Sequence, residues 1–98
     1  MAEIRVQHVP ERQRYEAVVG QDVLGVAEYE QHGEAVVLTH TVVEPAAEGK
    51  GVGSALARTA LDAARADGMQ VVPQCHFMAT WIDRHPDYAD LVARHPEA

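Results

Sequence analysis

The residues whose types and spacing point most clearly to chemistry are three alternating glycines and a lysine, in the segment Gly49-Lys50-Gly51-Val52-Gly53. Glycine has no Cβ, so its backbone can take positive φ values and a ligand can approach the main chain closely. The segment follows a run rich in β-branched residues and opens into an alanine-rich run with helical spacing. The free N–H groups and positive dipole end of a helix start suit a phosphate or pyrophosphate. We therefore predict a strand, an anion-binding loop and a helix.

Two common phosphate loops do not fit this spacing. A Walker loop has lysine and then Ser or Thr directly after its last glycine, whereas Gly53 is followed by Ser54 and Ala55. The dinucleotide fingerprint has the spacing G-x-G-x-x-G, whereas the spacing here is G-x-G-x-G. The loop therefore belongs to neither class.

Two other side chains could take part in a reaction, and each has a structural alternative. Cys75 lies at the C-terminal end of the strand after the helix, and its thiolate could be a nucleophile or simply pack as a small apolar group. His40 lies on the strand before the loop and could be a general base, or a core histidine bonded to a backbone carbonyl. His76 is a weaker candidate. Cys75 and the scattered histidines lack convincing ligand spacing, so we expect no metal site.

Alternating apolar residues and turn residues predict the elements that must position these groups. We expect strands over residues 4–8, 15–19, 23–30 and 35–43, and the last is the longest and most apolar. Simple alternation puts Leu38, His40 and Val42 on one face of that strand and Thr41 and Val43 on the other. A β-bulge would exchange the two faces.

The second half of the chain predicts a crossover between parallel strands. A helix over residues 51–66 carries an apolar stripe that includes Val52, Leu56, Thr59 and Ala60, and Gly68 suits its end. A short strand over residues 69–75 follows, so the strands on either side of the helix are expected to be parallel neighbours. A short helix over residues 77–83 and another that starts at Pro86 complete an α/β fold.

The loop resembles the acetyl-CoA loop of the GNAT superfamily of N-acetyltransferases, whose signature is Gln/Arg-x-x-Gly-x-Gly/Ala. The segment Glu48-Gly49-Lys50-Gly51-Val52-Gly53 matches both glycine positions and departs at Glu48, where Gln or Arg is usual. The preceding His40-Thr41-x-Val43 and the later Pro73-x-Cys75-x-Phe77 are similar to the small, single-domain GNAT-like proteins.

This resemblance implies a GNAT-like acyl-CoA N-acyltransferase fold, a twisted mixed sheet that is mostly antiparallel. It implies acetyl-CoA as cofactor, with backbone amides from Gly49 to Ser54 around the pyrophosphate and Thr41, Val42 and Val43 beside the pantetheine arm. The implied activity is acetyl transfer to an amine, small or on a protein or peptide lysine, with Cys75 and His40 as catalytic candidates. The alternative is a non-catalytic module that binds CoA or a protein. A short link between the first two strands implies an open acceptor site.

Length and composition narrow the remaining choices. We expect the 98 residues, 1–98, to form one domain. The formal charge of −7 disfavours a nucleic-acid or anionic-membrane surface. The single cysteine and the lack of an apolar segment near Met1 make the cytosol the expected compartment. A monomer or weak dimer is expected.

Overall fold

The computed structural model describes residues 3–93 as a five-stranded sheet with helices packed on one face. The ends of the predicted domain, residues 1–2 and 94–98, lie outside the described part. The strands are β1 (Arg5–Val9), β2 (Arg14–Val19), β3 (Asp22–His32), β4 (Ala35–Val43) and β5 (Gln70–Pro73). The helices are α1 (Val52–Ala66) and α2 (His76–Asp83), with 3-10 turns at Pro10–Arg12, Pro45–Ala47 and Pro86–Leu91.

The sheet has the strand order β1-β2-β3-β4-β5. The first four strands pair antiparallel through short turns, and β5 pairs parallel to β4 after the α1 crossover. The predicted mostly antiparallel sheet with one parallel pair around the loop and helix is therefore confirmed. The last predicted helix is a 3-10 turn, and Val92 beyond it forms a bridge with Val71.

A β-bulge at Thr39 decides which side chains of β4 face the helices. Glu28 pairs with His40 and the next residue of β3 pairs with Leu38, so Thr39 is the extra residue. Leu38 is buried against the helices, and beyond the bulge Thr41 is half-buried while His40 is exposed. The simple alternation that put Leu38 and His40 on one face is wrong, and the bulge alternative is correct.

Helix α1 packs closely on the sheet because small residues line the contact. A Cβ added at Gly25 of β3 would lie 2.9 Å from Val52 Cγ1 and 3.0 Å from the Val42 carbonyl oxygen, so a side chain there would push α1 away. The predicted apolar stripe is partly correct. Val52 and Leu56 are buried, but Thr59 is only half-buried and Leu61, which the stripe omitted, is fully buried.

The opposite face of the sheet has no helix against it among residues 3–93. Val42 and Val72 are 60% and 37% exposed there. On the covered side, α2 contributes Met78, Trp81 and Ile82 to the core that α1 shares. No helix within residues 3–93 has both the length and the apolar character needed to span a bilayer.

Candidate functional site

The larger of the two cavities that we describe is a cleft of about 620 Å³ at the N-terminal end of α1. One wall is the glycine loop with the first turn of α1, another is the C-terminal part of β4, and the third is α2 with the residues just after it. The cleft is lined by Thr41, Val43, Ala47, Glu48, Gly49, Gly51, Val52, Gly53, Ser54, Phe77, Thr80, Trp81, Arg84 and His85.

The loop wall presents backbone in a conformation that favours glycine. Gly49 and Gly51 have φ angles of 80° and 85°, values that residues with a Cβ adopt at a cost. Gly51 is also the N-cap of α1, and no side chain of the described residues caps this helix. The N–H groups of its first turn therefore remain available to an anion, as does the positive end of the dipole.

The β4 wall opens because β4 and β5 separate beyond the middle of β4. Their parallel pairing ends at Leu38 opposite Pro73. The last contacts are hydrogen bonds from the N–H groups of Gln74 and Cys75 to the Leu38 carbonyl, at 3.1 and 3.0 Å. Past this point β4 continues to Val43 with no further backbone pairing to β5.

The open edge of β4 presents the backbone groups of Thr41 and Val43. In an antiparallel pair, alternate residues exchange both backbone hydrogen bonds with the neighbouring strand, and the residues between them point the other way. The N–H of Glu44 donates to the Leu24 carbonyl at 2.8 Å, so Val42, two residues earlier, also bonds to β3. Thr41 and Val43 therefore direct their N–H and C=O groups into the gap beside β4.

The third wall is aromatic and is fixed to the start of α1. The indole N–H of Trp81 donates to Ser54 Oγ at 2.8 Å. The His85 ring stacks on the indole with 3.6 Å between centroids, and His85 Nδ1 donates to the Trp81 carbonyl at 2.7 Å. Phe77 lies over Gly53, where an added Cβ would come within 2.7 Å of its ring. Gly53 thus permits the close contact between α1 and α2.

Two charged side chains of residues 3–93 line the cleft. Arg84 and Glu48 line it, and both are exposed. Lys50 is exposed but does not line the cleft. The guanidinium of Arg84 can bind phosphate oxygens in a bidentate manner, which a lysine ammonium cannot do.

Cys75 lies at the inner end of the gap between β4 and β5. Its Sγ is 3.3 Å from Thr41 Oγ1, close enough for a hydrogen bond in either direction. Thr41 lines the cleft and Cys75 does not. The thiol is therefore one residue away from the cleft surface, behind the threonine hydroxyl.

His40 lies on the opposite face of the sheet from the cleft. Its side chain is 72% exposed, and Nδ1 is 3.5 Å from Glu28 Oε1 on the neighbouring strand. The bulge at Thr39 causes this placement, because it turns Thr41 towards the helices and His40 away from them. A base at His40 would have to act on a group that approaches from the uncovered face.

The cleft thus brings together most of the residues that the sequence singled out, but not all. It is lined by Thr41, Val43, Glu48, Gly49, Gly51, Val52, Gly53 and Ser54, and it is not lined by Val42, Lys50, Cys75 or His40. Sequence reasoning missed Phe77, Thr80, Trp81, Arg84 and His85. The helical spacing of Phe77, Trp81 and Arg84 was the available signal, since such residues share a face and that face carries a cation beside two aromatic rings.

Comparison with known proteins agrees with this architecture. Residues 14–91 match the family model described as GCN5-related N-acetyl-transferase. The solution structure of a GCN5-like protein from Staphylococcus aureus is similar, with a TM-score of 0.74 and 19% sequence identity over 99% of this chain and 97% of that chain. No curated protein matches in sequence. The predicted α/β GNAT fold is confirmed, and the chain belongs to the GCN5-related N-acetyltransferase family.

Proposed function

We propose that this protein binds acetyl-CoA in the cleft and transfers its acetyl group to an amine. The main support for this proposal is that the uncapped start of α1 and the open edge of β4 line the same cleft. The first suits the pyrophosphate of CoA and the second suits the amide groups of its pantetheine arm. Neither feature requires a particular side chain, since backbone groups make both contacts.

The cleft has room for the pyrophosphate at the loop. A Cβ added at Gly49 or Gly51 meets no atom within 4 Å, so the space beside both residues is open. Arg84 on one side of the cleft, and Lys50 just outside it, supply positive charge to a ligand that carries several negative charges. The wall of Phe77 and Trp81 supplies apolar surface.

Acetyl-CoA supplies a thioester whose carbonyl carbon an amine nitrogen can attack. The N–C bond forms, the C–S bond breaks, and the proton that the amine loses balances the thiolate that leaves as CoA thiol. We assign the proton-accepting role to His40, whose Nδ1 lies 3.5 Å from Glu28 Oε1 on the uncovered face of the sheet. In this assignment the amine approaches the thioester from that face. In this scheme Cys75 and Thr41 line the gap and form no covalent intermediate.

The acceptor in this proposal is an amine on a protein or peptide, or a weakly held small amine. Only the 3-10 turn Pro10–Arg12 and Gln13 join β1 to β2, so this link places no helix over the uncovered face. An extended acceptor could therefore lie along the sheet next to His40. The acidic side chain of Glu28 would favour a cation there.

The alternative is a module that binds CoA without turnover. Two observations favour this module. His40 lies outside the cleft, and among the described residues that line the cleft Glu48 is the one carboxylate. The two functions differ in a single assay. An acetyltransferase must release CoA thiol from acetyl-CoA faster with some amine than without, whereas the module releases none above the background rate.

The test combines ligand binding with turnover. Thermal unfolding is measured with acetyl-CoA, CoA, ATP and NAD, and release of CoA thiol is measured with a panel of lysine peptides and small amines. We expect acetyl-CoA and CoA to raise the melting temperature more than ATP or NAD, and at least one amine to accelerate thiol release. Stabilisation without amine-dependent release would establish the module. No preference for the CoA compounds would refute both functions.

A further inference from the structure

A second cavity, of about 380 Å³, lies under the C-terminal end of α1. Its volume falls within the range of small-molecule sites. Aromatic rings form one side, alanines of α1 form the other, and polar groups lie at the opening. Its lining includes His8, Tyr15, Tyr29, Asp67, and Ala63 and Ala64 of α1.

The aromatic side is a packed cluster of three rings. His8 stacks on Tyr15 with 4.4 Å between centroids, and Tyr29 lies 5.7 Å from each of them. His8 Nε2 and the Tyr29 hydroxyl are 2.5 Å apart. The hydrogen bond and the stacking fix the rings, so this wall is preorganised. Aromatic rings attract a cation placed within about 6 Å of their centroids.

The charges around this cavity have one prevailing sign. Asp67 contributes a carboxylate, and no Lys, Arg or His in residues 3–93 lies within ion-pair distance of it. The negative end of the α1 dipole lies at the same place, because Asp67 is the C-cap. No lysine or arginine is among the lining residues, and His8 is the one lining side chain that can carry a positive charge.

The pKa of Tyr15 reflects its burial and, to a smaller extent, the negative charge of Asp67 at this cavity. Burial, followed by smaller contributions from Tyr29 and Asp67, raises the pKa of Tyr15 above its ordinary value. The phenol is neutral at pH 7, as an unperturbed tyrosine also is, and offers its ring and its hydroxyl oxygen to a ligand. The contribution of Asp67 also means that its negative charge is felt at the aromatic wall.

This cavity is separate from the cleft. The two cavities share no lining residue, and their nearest lining residues on α1 are Ser54 and Ala60, which lie about 9 Å apart along the helix. A small molecule in the second cavity could not reach the open edge of β4. Its ligand is therefore neither the acetyl donor nor an amine in position to react.

We infer that the second cavity binds a small organic cation, an ammonium group on an apolar body, between the rings of Tyr15 and Tyr29 and the carboxylate of Asp67. The cation replaces water next to the rings and pairs with Asp67, while its apolar part packs on Ala60, Ala63 and Ala64. This inference does not rest on acetyl transfer, and it would stand if the cleft had another ligand.

Choline is a suitable probe, with its uncharged isostere, in which a tert-butyl group replaces trimethylammonium, as the matched control compound. Backbone NMR titrations follow the amides of Ala63, Ala64 and Met69, with and without saturating CoA. We expect choline to shift these amides in both conditions and the isostere to bind roughly tenfold more weakly. Equal binding of the isostere, or no shift with choline at millimolar concentration, would overturn the inference.

Two pairs of variants locate the site. Asp67→Asn should weaken choline binding roughly tenfold, and Asp22→Asn, which removes the same charge from an exposed position away from the cavity, should not. Ala63→Leu should abolish binding by filling the cavity, whereas Ala66→Leu adds the same bulk to an exposed position of α1 outside it. Choline binding that survives both Asp67→Asn and Ala63→Leu would place its site elsewhere and reject the proposal.

Discussion

At the scale of single residues, Thr41 lies between the two reactive candidates, His40 and Cys75. It follows His40 directly in the chain, and its hydroxyl contacts Cys75 across the gap between β4 and β5. The strand turns these neighbours in opposite directions, so His40 meets solvent and Thr41 meets the cleft. Acid–base and nucleophilic roles can therefore be tested separately.

Replacing His40 by alanine should slow acetyl transfer by roughly 100-fold, because it removes the proposed proton acceptor. CoA binding should stay unchanged, since His40 does not line the cleft. His32→Ala is the matched control, because His32 is another exposed histidine paired with a glutamate, Glu30, at 3.0 Å. Steady-state kinetics measure the acetyl-transfer rates of both variants. Equal rates for the two variants would remove His40 from the mechanism.

Replacing Cys75 by alanine should leave most of the transfer activity, because direct attack by the amine needs no acyl-enzyme. Intact-protein mass spectrometry after incubation with acetyl-CoA and no acceptor should show an unmodified chain. If an acetyl group were found on Cys75, and added amine discharged it, transfer would proceed through a nucleophilic cysteine instead.

Arg84→Ala should weaken CoA binding more than Lys50→Ala, because Arg84 lines the cleft and Lys50 does not. For Lys50 we expect a loss of about 1 kcal/mol, typical of an exposed charge, that shrinks at high salt. Titration calorimetry at two salt concentrations measures both. If Lys50→Ala proved the more damaging change, the loop lysine would be the primary phosphate contact.

At the scale of elements, the strand, loop and helix were predictable because each carries a local signal. The glycines of the loop and the helical periodicity of α1 can be identified from these segments alone. The bulge at Thr39 was foreseen only as an alternative, because it is fixed by pairing with β3. The α2 wall of Trp81 and Arg84 was missed, since contacts between distant parts of the chain bring that helix to the cleft: Phe77 packs on Gly53, and Trp81 donates to Ser54.

Glu16, on the uncovered face of β2, pairs with Arg14 of the same strand and with Gln7 of β1, and these bonds make stability depend on pH. Glu16 accepts hydrogen bonds from Arg14 at 2.9 Å and from Gln7 at 3.1 Å, and its side chain is only 9% exposed. These bonds, that from Arg14 foremost, lower the pKa of Glu16. The stabilisation is therefore present above the pKa of an unfolded glutamate and is lost as pH falls through the folded value.

Glu16→Gln should therefore lower the free energy of unfolding by about 2 kcal/mol at pH 7, and the gap to the unmodified protein should close in acid. Urea unfolding across a pH series measures it. Glu30→Gln, an exposed position, should change little at any pH. If the difference in free energy of unfolding between Glu16→Gln and the unmodified protein stayed constant into acid, the charge of Glu16 would not be the source of the stabilisation.

At the scale of the whole molecule, α1 separates the two proposed sites, and their expected ligands have opposite charge. The start of α1 offers free N–H groups to an anion, and its end lies beside Asp67 and a cavity lined by aromatic rings. The uncovered face of the sheet, with the exposed Val42 and Val72, leaves room for an acceptor larger than the cleft. We expect the net charge of −7 to favour a cationic partner over an anionic one.

We propose that the glycine loop at the start of α1 binds CoA, and the difference in thermal unfolding with and without CoA measures that binding. CoA at a hundred times its dissociation constant should stabilise the protein by about 2.7 kcal/mol. Gly51→Glu should abolish that gain, because it places a like-charged side chain in the cradle. Gly33→Glu puts the same side chain at another glycine of positive φ in open space, away from the cleft, and should keep the gain. If CoA stabilised both folded variants equally, the glycine loop would not be the CoA-binding site.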